Sequence, residues 1–270
     1  MSAADEAWAI DWSGDARAAR RRIRLARAVP GRLLEVRGGL DRDEVVAHVL
    51  DAATRARLVV GFDFSFALPA WFARAHGCDD VAALWDLVAR EGEAWLAACR
   101  PPFWGRGRTP RPPQDPARPG WRVTEAEVRD AGLHPTSTFQ IGGAGAVGTG
   151  SVRGMPHLAR LRAAGASIWP FDDAGPLTVV EIYPRLFTGP VVKRSAPARR
   201  AAVAGDGRVP AALVEDVVAS EDAFDAALSA LAMAEHLVDL GRLRAAAPGS
   251  PPALEGALWR PPEAVRAPRP

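Results

Sequence analysis

Residues 58–66 read LVVGFDFSF. The run from Leu58 to Phe62 is apolar, of strand length and rich in valine, which predicts a strand buried on both faces, as in a parallel sheet. Asp63 breaks it, between Phe62 and Phe64. An ionised carboxylate inside a core costs several kcal/mol unless it is paired, hydrogen-bonded or metal-bound. Asp63 therefore needs a reason.

Two other stretches carry the same anomaly. Residues 7–12 (AWAIDW) predict a short buried strand bearing Asp11, ended by the turn Ser13-Gly14-Asp15. Residues 177–183 (LTVVEIY) predict another, with Glu181 between Val180 and Ile182. A single such acid is explained by a strand-end cap or a structural ion pair, but three ask for a shared cause. Ligands of open α/β sheets bind beyond the carboxyl ends of the strands, and Asp11, Asp63 and Glu181 all stand near such an end.

A fourth contribution follows Ser220. Asp222 and Asp225 are three residues apart on one helix face, in a first turn where the helix dipole favours negative charge. Simple N-terminal capping explains the pair when taken alone, and the sequence does not choose between the two as a ligand. The histidines at 48, 76, 134, 157 and 236 are scattered, and the only cysteines, Cys78 and Cys99, form no CxxC. Carboxylate oxygens without imidazole or thiolate suit a hard cation such as Mg²⁺ or Mn²⁺, and a zinc site is not expected.

Around these stretches the periodicity supplies a frame. Residues 22–29 and 32–37, split by Pro30-Gly31, predict a hairpin next to the first strand. Helices are expected over 41–57, 79–98, 124–131, 156–164, 195–204, 210–219 and 221–240. Residues 100–120, with seven prolines and six of the chain's many arginines clustered there and at Arg122, read as a long loop. The expectation is an α/β fold with a mixed five-stranded sheet, three antiparallel strands followed by parallel ones, flanked by helices. One domain spans 1–245, with a helical and loop insertion at about 67–175, and a Pro-rich peripheral tail covers 246–270.

Residues 142–150 hold five glycines. Backbone amides at Gly142, Gly143, Gly145 and Gly148, with the neighbouring Gln140, can cradle a phosphate before a helix, and Arg153 can pair with one bidentately. The spacing is not that of a P-loop. The competing reading is a packed turn that uses glycine for close backbone approach. Ser13, Tyr183 and Arg185 are expected to line the same cleft. Trp104 and Trp121, beside the arginine-rich loop, are candidates for base stacking.

The chain has 270 residues and a formal charge of +2, and 33 of its 34 basic residues are arginine, Lys193 being the exception. Eight arginines fall between Arg17 and Arg37. Such patches can track a phosphate backbone or simply decorate solvated faces. No apolar run reaches the roughly 18–20 residues of a membrane span. With no leader pattern at the N-terminus and no disulfide framework, a cytoplasmic protein is expected.

Taken together, IDWSGD (10–15), VGFDFSFALP (60–69), FQIGGAGAVGTGSVRGMPHLARLRAAG (139–165), IWPFD (168–172), VVEIYPR (179–185) and SEDAFDAALSAL (220–231) resemble a bacterial and archaeal family known as domain of unknown function 429. Its members are predicted nucleases of ribonuclease-H-like fold, akin to Holliday-junction resolvases. The resemblance implies metal-dependent phosphodiester cleavage of DNA or RNA by a two-ion site. It implies Asp11 as the central ligand, Asp63 and Glu181 beside it, and Asp222 or Asp225 completing the second site. It also admits a homodimer, as in junction resolvases. Ribonuclease H carries a further Glu on the helix after the third strand; the nearest counterpart here, Glu44, is expected at the surface, so Glu181 would take that role, and one ion or two both stay open. Two other readings compete. A phosphotransferase or ATPase of actin-like fold would need a second, repeated half, and no repeat is visible. A nucleic-acid-binding module without catalysis would keep the acids for structure alone.

Overall fold

In the computed structural model, which describes residues 5–262, one six-stranded mixed sheet organises the chain. Strands β1 (Glu6–Asp11), β2 (Arg24–Val29), β3 (Arg32–Arg37), β4 (Leu58–Phe62), β5 (Ser167–Ile168) and β6 (Leu177–Glu181) lie in the order β3-β2-β1-β4-β6-β5. β1, β2 and β3 pair antiparallel, whereas β4, β6 and β5 continue from β1 in parallel. The expected five strands become six. The two-residue β5 lies inside the insertion and is too short to carry a periodicity.

Six helices of eight or more residues flank the sheet: α1 (Arg42–Ala53), α2 (Val81–Ala98), α3 (Val123–Asp130), α4 (Gly148–Ala163), α5 (Ala196–Val203) and α6 (Glu221–Glu235). One face of the sheet, with Trp8, Ile10, Val60, Phe62 and Val179, packs on Val45, Val46 and Val49 of α1, Leu84 and Trp85 of α2, and Met155 and Leu158 of α4. The other face, with Ala7, Ala9, Val59, Val180 and Ile182, packs on Phe224, Ala227 and Leu231 of α6. Buried on both sides, the central strands lack alternation, which is why they read as continuous apolar runs.

Local chemistry sets the helix ends. Asp41 and Glu44 form a reciprocal capping box at α1, so Glu44 closes a helix end and pairs with Arg20. Asp80 caps α2, Ser195 caps α5 and Ser220 caps α6. The predicted helix over 156–164 in fact begins at Gly148, so Gly148, Gly150 and Gly154 are helical. The helix predicted to run to 240 stops at Glu235, and a separate turn covers Leu237–Leu240.

Residues 251–259 correct the expectation of a peripheral tail. Glu255 accepts hydrogen bonds from the backbone N–H groups of Ala70 (2.7 Å) and Val123 (2.9 Å). Trp259 is 3% exposed against the α6 face, and its N–H reaches the Glu181 carbonyl at 2.8 Å. The rest of the expected tail, 263–270, lies outside the described residues. No helix among the described residues is long and apolar enough to cross a membrane.

Candidate active site

A cleft of about 1120 Å³ opens at the carboxyl ends of β1, β4 and β6. Asp11, Asp63, Glu181 and Asp222 line it together with Ser13, Gly143, Gly145, Arg153 and Tyr183. Gln140, Gly142, Gly148 and Arg185 are not on its wall.

Strand register decides which way the acids face. Ile10 pairs with Phe62, and Phe62 with Glu181. Asp11 and Asp63 each come one residue later, and the ladder continues with Asp63 N–H to Ile10 O and Ile182 N–H to Phe62 O, both 3.0 Å. Side chains alternate along a strand. Asp11 and Asp63 therefore stand side by side on the α6 face, on strands about 4.8 Å apart. Glu181 belongs to the opposite face.

On that face Glu181 is only 1% exposed and meets Arg122, which is 0% exposed. Arg122 Nη1 donates to Glu181 Oε2 at 2.8 Å and Nη2 to Oε1, while its Nε and Nη2 reach Glu125 Oε1. Glu181 Oε2 also accepts from Phe66 N–H at 2.9 Å. Burial opposes the charge of Arg122, but the Glu125 and Glu181 carboxylates outweigh it and hold its pKa above the ordinary value. Burial pushes Glu125 up, against the pull of Arg122. Both oxygens of Glu181, expected as open metal donors, are thus already engaged. The acid still touches the cleft wall, and its charge is felt by Asp63.

On the α6 face, Asp11, Asp63 and Asp222 have no such partner, and Asp225 has only Lys193. Burial first, then the charges of Asp63, Asp222 and Asp225, pushes Asp11 well above the usual carboxylate range. Asp63 is pushed up to about 7 by burial and then by Asp225, against the opposing charge of Lys193. Burial also raises Asp222 and Asp225. The sequence left these two equivalent. The structure separates them: Asp222 lines the cleft, whereas Asp225 is 7% exposed, with Oδ2 on Lys193 Nζ and a buried Oδ1 that lacks a partner.

A hard divalent cation suits this donor set in part. The groups are carboxylate oxygens under mutual repulsion, and one buried oxygen is unsatisfied. Mg²⁺ typically takes one or two protein carboxylates and completes its shell with water and substrate oxygen, which Asp11 and Asp63 can provide. Among the described residues, no three Asp, Glu, His or Cys side chains converge closely enough to hold an ion by themselves. The donor set therefore fits a magnesium-type site and not an all-protein cage.

The glycine segment divides in two. A Cβ at Gly142 would lie 2.2 Å from Gly105 O, one at Gly148 2.3 Å from Thr138 O, and one at Gly14 2.4 Å from Gly150 N. These glycines permit close backbone crossings. Gly143 and Gly145, at φ +82° and +71°, are exposed on the cleft wall. Gln140 turns back on its own loop, donating to Gly142 O and Ala144 O. Arg153, expected to hold a phosphate, grips both oxygens of Glu93 and reaches Gly14 O. Arg185 donates to Val191 O at 3.1 Å. Burial first, and then Asp63, raises the pKa of the Tyr183 hydroxyl.

Sequence reasoning passed over Arg122 and Glu125, and also Arg106, which lines the cleft and ties Ile141 O to Leu96 O. Nothing separates these residues from the other arginines and acids of the chain except a fold. Lys193 did carry a signal, as the only lysine. Trp121 carries two guanidinium groups over its ring, Arg111 at 4.3 Å and Arg129 at 4.2 Å, so the expected stacking platform is already engaged by cations. Comparison with family models, curated proteins and solved structures yields no match.

Proposed function

We propose that the protein is a metal-dependent phosphodiester hydrolase acting on nucleic acid, on a ribonuclease-H-like fold, as the resemblance to domain of unknown function 429 implies. One observation carries the reading. In a chain with 33 arginines, Asp11, Asp63 and Asp222 share a cleft and no described arginine is hydrogen-bonded to any of them. Proteins pair buried carboxylates that serve structure with hydrogen-bonded cations, and this cleft leaves the three without one. The mixed sheet, antiparallel over β1–β3 and parallel beyond, supports the fold reading.

Asp11 and Asp63 would hold a Mg²⁺ or Mn²⁺ ion, with Asp222 on the rim. When bound, the ion would supply charge stabilisation at the phosphoryl group and a lowered pKa for a nearby water. The chain's own groups would do the rest. Gly143, Gly145 and Tyr183 lie on the cleft wall, where their amides and hydroxyl would serve as donors for a phosphodiester. The exposed Arg22 lies on the cleft wall beside Asp15 and Ala16, where a nucleic-acid backbone would run.

The test is a cleavage screen over single-stranded, duplex and branched DNA and RNA with Mg²⁺ or Mn²⁺, comparing wild type with Asp11→Asn. Metal-dependent cleavage lost in Asp11→Asn is expected. Equal behaviour of the two proteins on every substrate would sink the proposal.

A further inference from the structure

The α6-face cluster already contains one cation, Lys193. Its ammonium contacts Asp225 Oδ2, on the helix face that packs against Asp11 and Asp63. We infer that Lys193 takes the place of a second metal ion, so that the cleft holds a single divalent cation between Asp11 and Asp63. This rests on the metal reading above and deepens it.

Three observations carry the inference. The first is the mount. Arg199, 5% exposed, donates from Nε (3.0 Å) and Nη2 (2.7 Å) to Val218 O and from Nη1 to Lys193 O. It thereby ties the Lys193 backbone to the turn that precedes α6. Arg185 secures the same loop through Val191 O. A freely waving surface lysine would not be stapled from both sides by guanidinium groups. The second is the choice of residue. A lysine ammonium is a compact point charge with three donors, whereas a guanidinium is a planar fork that covers a carboxylate with paired hydrogen bonds. Arg122 does this to Glu181 on the other face of the sheet. In a chain that otherwise uses arginine, the one lysine meets the one acid among the described residues that keeps a fully buried oxygen without a partner. The third is the donor count. Lys193 occupies Asp225 Oδ2, which leaves Asp11 and Asp63 as the adjacent pair of carboxylates without a cation hydrogen-bonded to them. An ammonium on Asp225 also repels a divalent ion approaching the same carboxylate.

Metal stoichiometry tests this without reference to activity. Full-length protein freed of metal is titrated with Mn²⁺, and free Mn²⁺ is read by electron paramagnetic resonance, with calorimetry in parallel. Wild type is expected to bind one Mn²⁺ per chain, and Asp11→Asn none. Lys193→Met, checked for folding by circular dichroism, is expected to gain a second ion, and Lys193→Arg to stay at one. Two ions in wild type overturn the inference, as does one ion in wild type and in folded Lys193→Met alike, which leaves the metal reading standing. No Mn²⁺ in wild type overturns both. Anomalous diffraction from Mn²⁺-soaked wild-type crystals needs no variant. One peak between Asp11 and Asp63, with Lys193 still on Asp225, is expected, whereas a second peak on Asp225 refutes the assignment.

Discussion

At the carboxyl end of the sheet, two groups of acids sit on opposite faces and are treated in opposite ways. Glu181 and Glu125 share a guanidinium that is fully buried with them, and every oxygen of Glu181 has a donor. Asp11, Asp63, Asp222 and Asp225 gather on the other face, where Lys193 is the one cation hydrogen-bonded to them among the described residues and a buried oxygen of Asp225 has no partner. In the sequence, Glu181 looked like Asp11 and Asp63, a carboxylate breaking an apolar strand. Their difference teaches that an acid in a core strand becomes informative about function once its counter-charge is known. A neutralised acid is part of the frame. An unneutralised one lowers the stability of the frame, and such a cost persists where a ligand offsets it.

The largest effect is expected from breaking the neutralised group. Arg122→Met leaves Glu125 and Glu181 buried without their cation and is expected to cost about 3–5 kcal/mol of unfolding free energy, read by urea denaturation. A cost below about 1 kcal/mol would mean that the two faces are electrostatically equivalent, against the scale expected for a broken buried pair. Next in size is a change of opposite sign. Asp63→Asn removes a repelled carboxylate and is expected to raise the stability of the metal-free protein by about 1–3 kcal/mol near pH 8 while abolishing metal-dependent cleavage. A stability loss there would show that the α6-face acids are structural too.

The same asymmetry sets a pH dependence. Asp63 is held at about 7 in the fold against roughly 3.9 in an unfolded chain. Between these values the folded state binds the extra proton. Its contribution to stability is therefore fully present below about pH 4 and is lost as pH rises through about 7. Urea midpoints measured in EDTA from pH 5 to pH 8 are expected to fall with pH in wild type and to flatten in Asp63→Asn. Parallel slopes would remove Asp63 from the repelled group.

How much of this was legible in advance follows from the same residues. The α/β class, the hairpin, the buried strands at 7–11 and 58–62 and the helix start at Ser220 depend on local propensity, which a single sequence carries. So did the anomaly of Asp11 and Asp63. The face to which Glu181 belongs did not, because it depends on pairing Phe62 with Glu181 and not with Ile182, a one-residue choice of register that reverses every side chain. Arg122 arrives 59 residues before its partner, from a helix start inside the insertion. Gly142 and Gly148 read as phosphate-binding because a crossing partner, Gly105 or Thr138, is invisible until the backbone is folded.

The smallest expected effect lies at the cleft wall between these extremes. Arg153 is paired with Glu93, but through a carboxylate whose side chain is 71% exposed, so the pair belongs to the weak, solvent-screened kind. Glu93→Gln is expected to change stability by less than about 0.5 kcal/mol. It also releases a guanidinium into the cleft where the sequence had expected a phosphate contact. The slope of log affinity against log salt for a short single-stranded oligonucleotide, measured by fluorescence anisotropy, should then steepen by about 0.7, one added phosphate contact. If the slope is unchanged, Arg153 is held by Gly14 O and the packing of α4, and it belongs with Arg122 among the cations that build the frame.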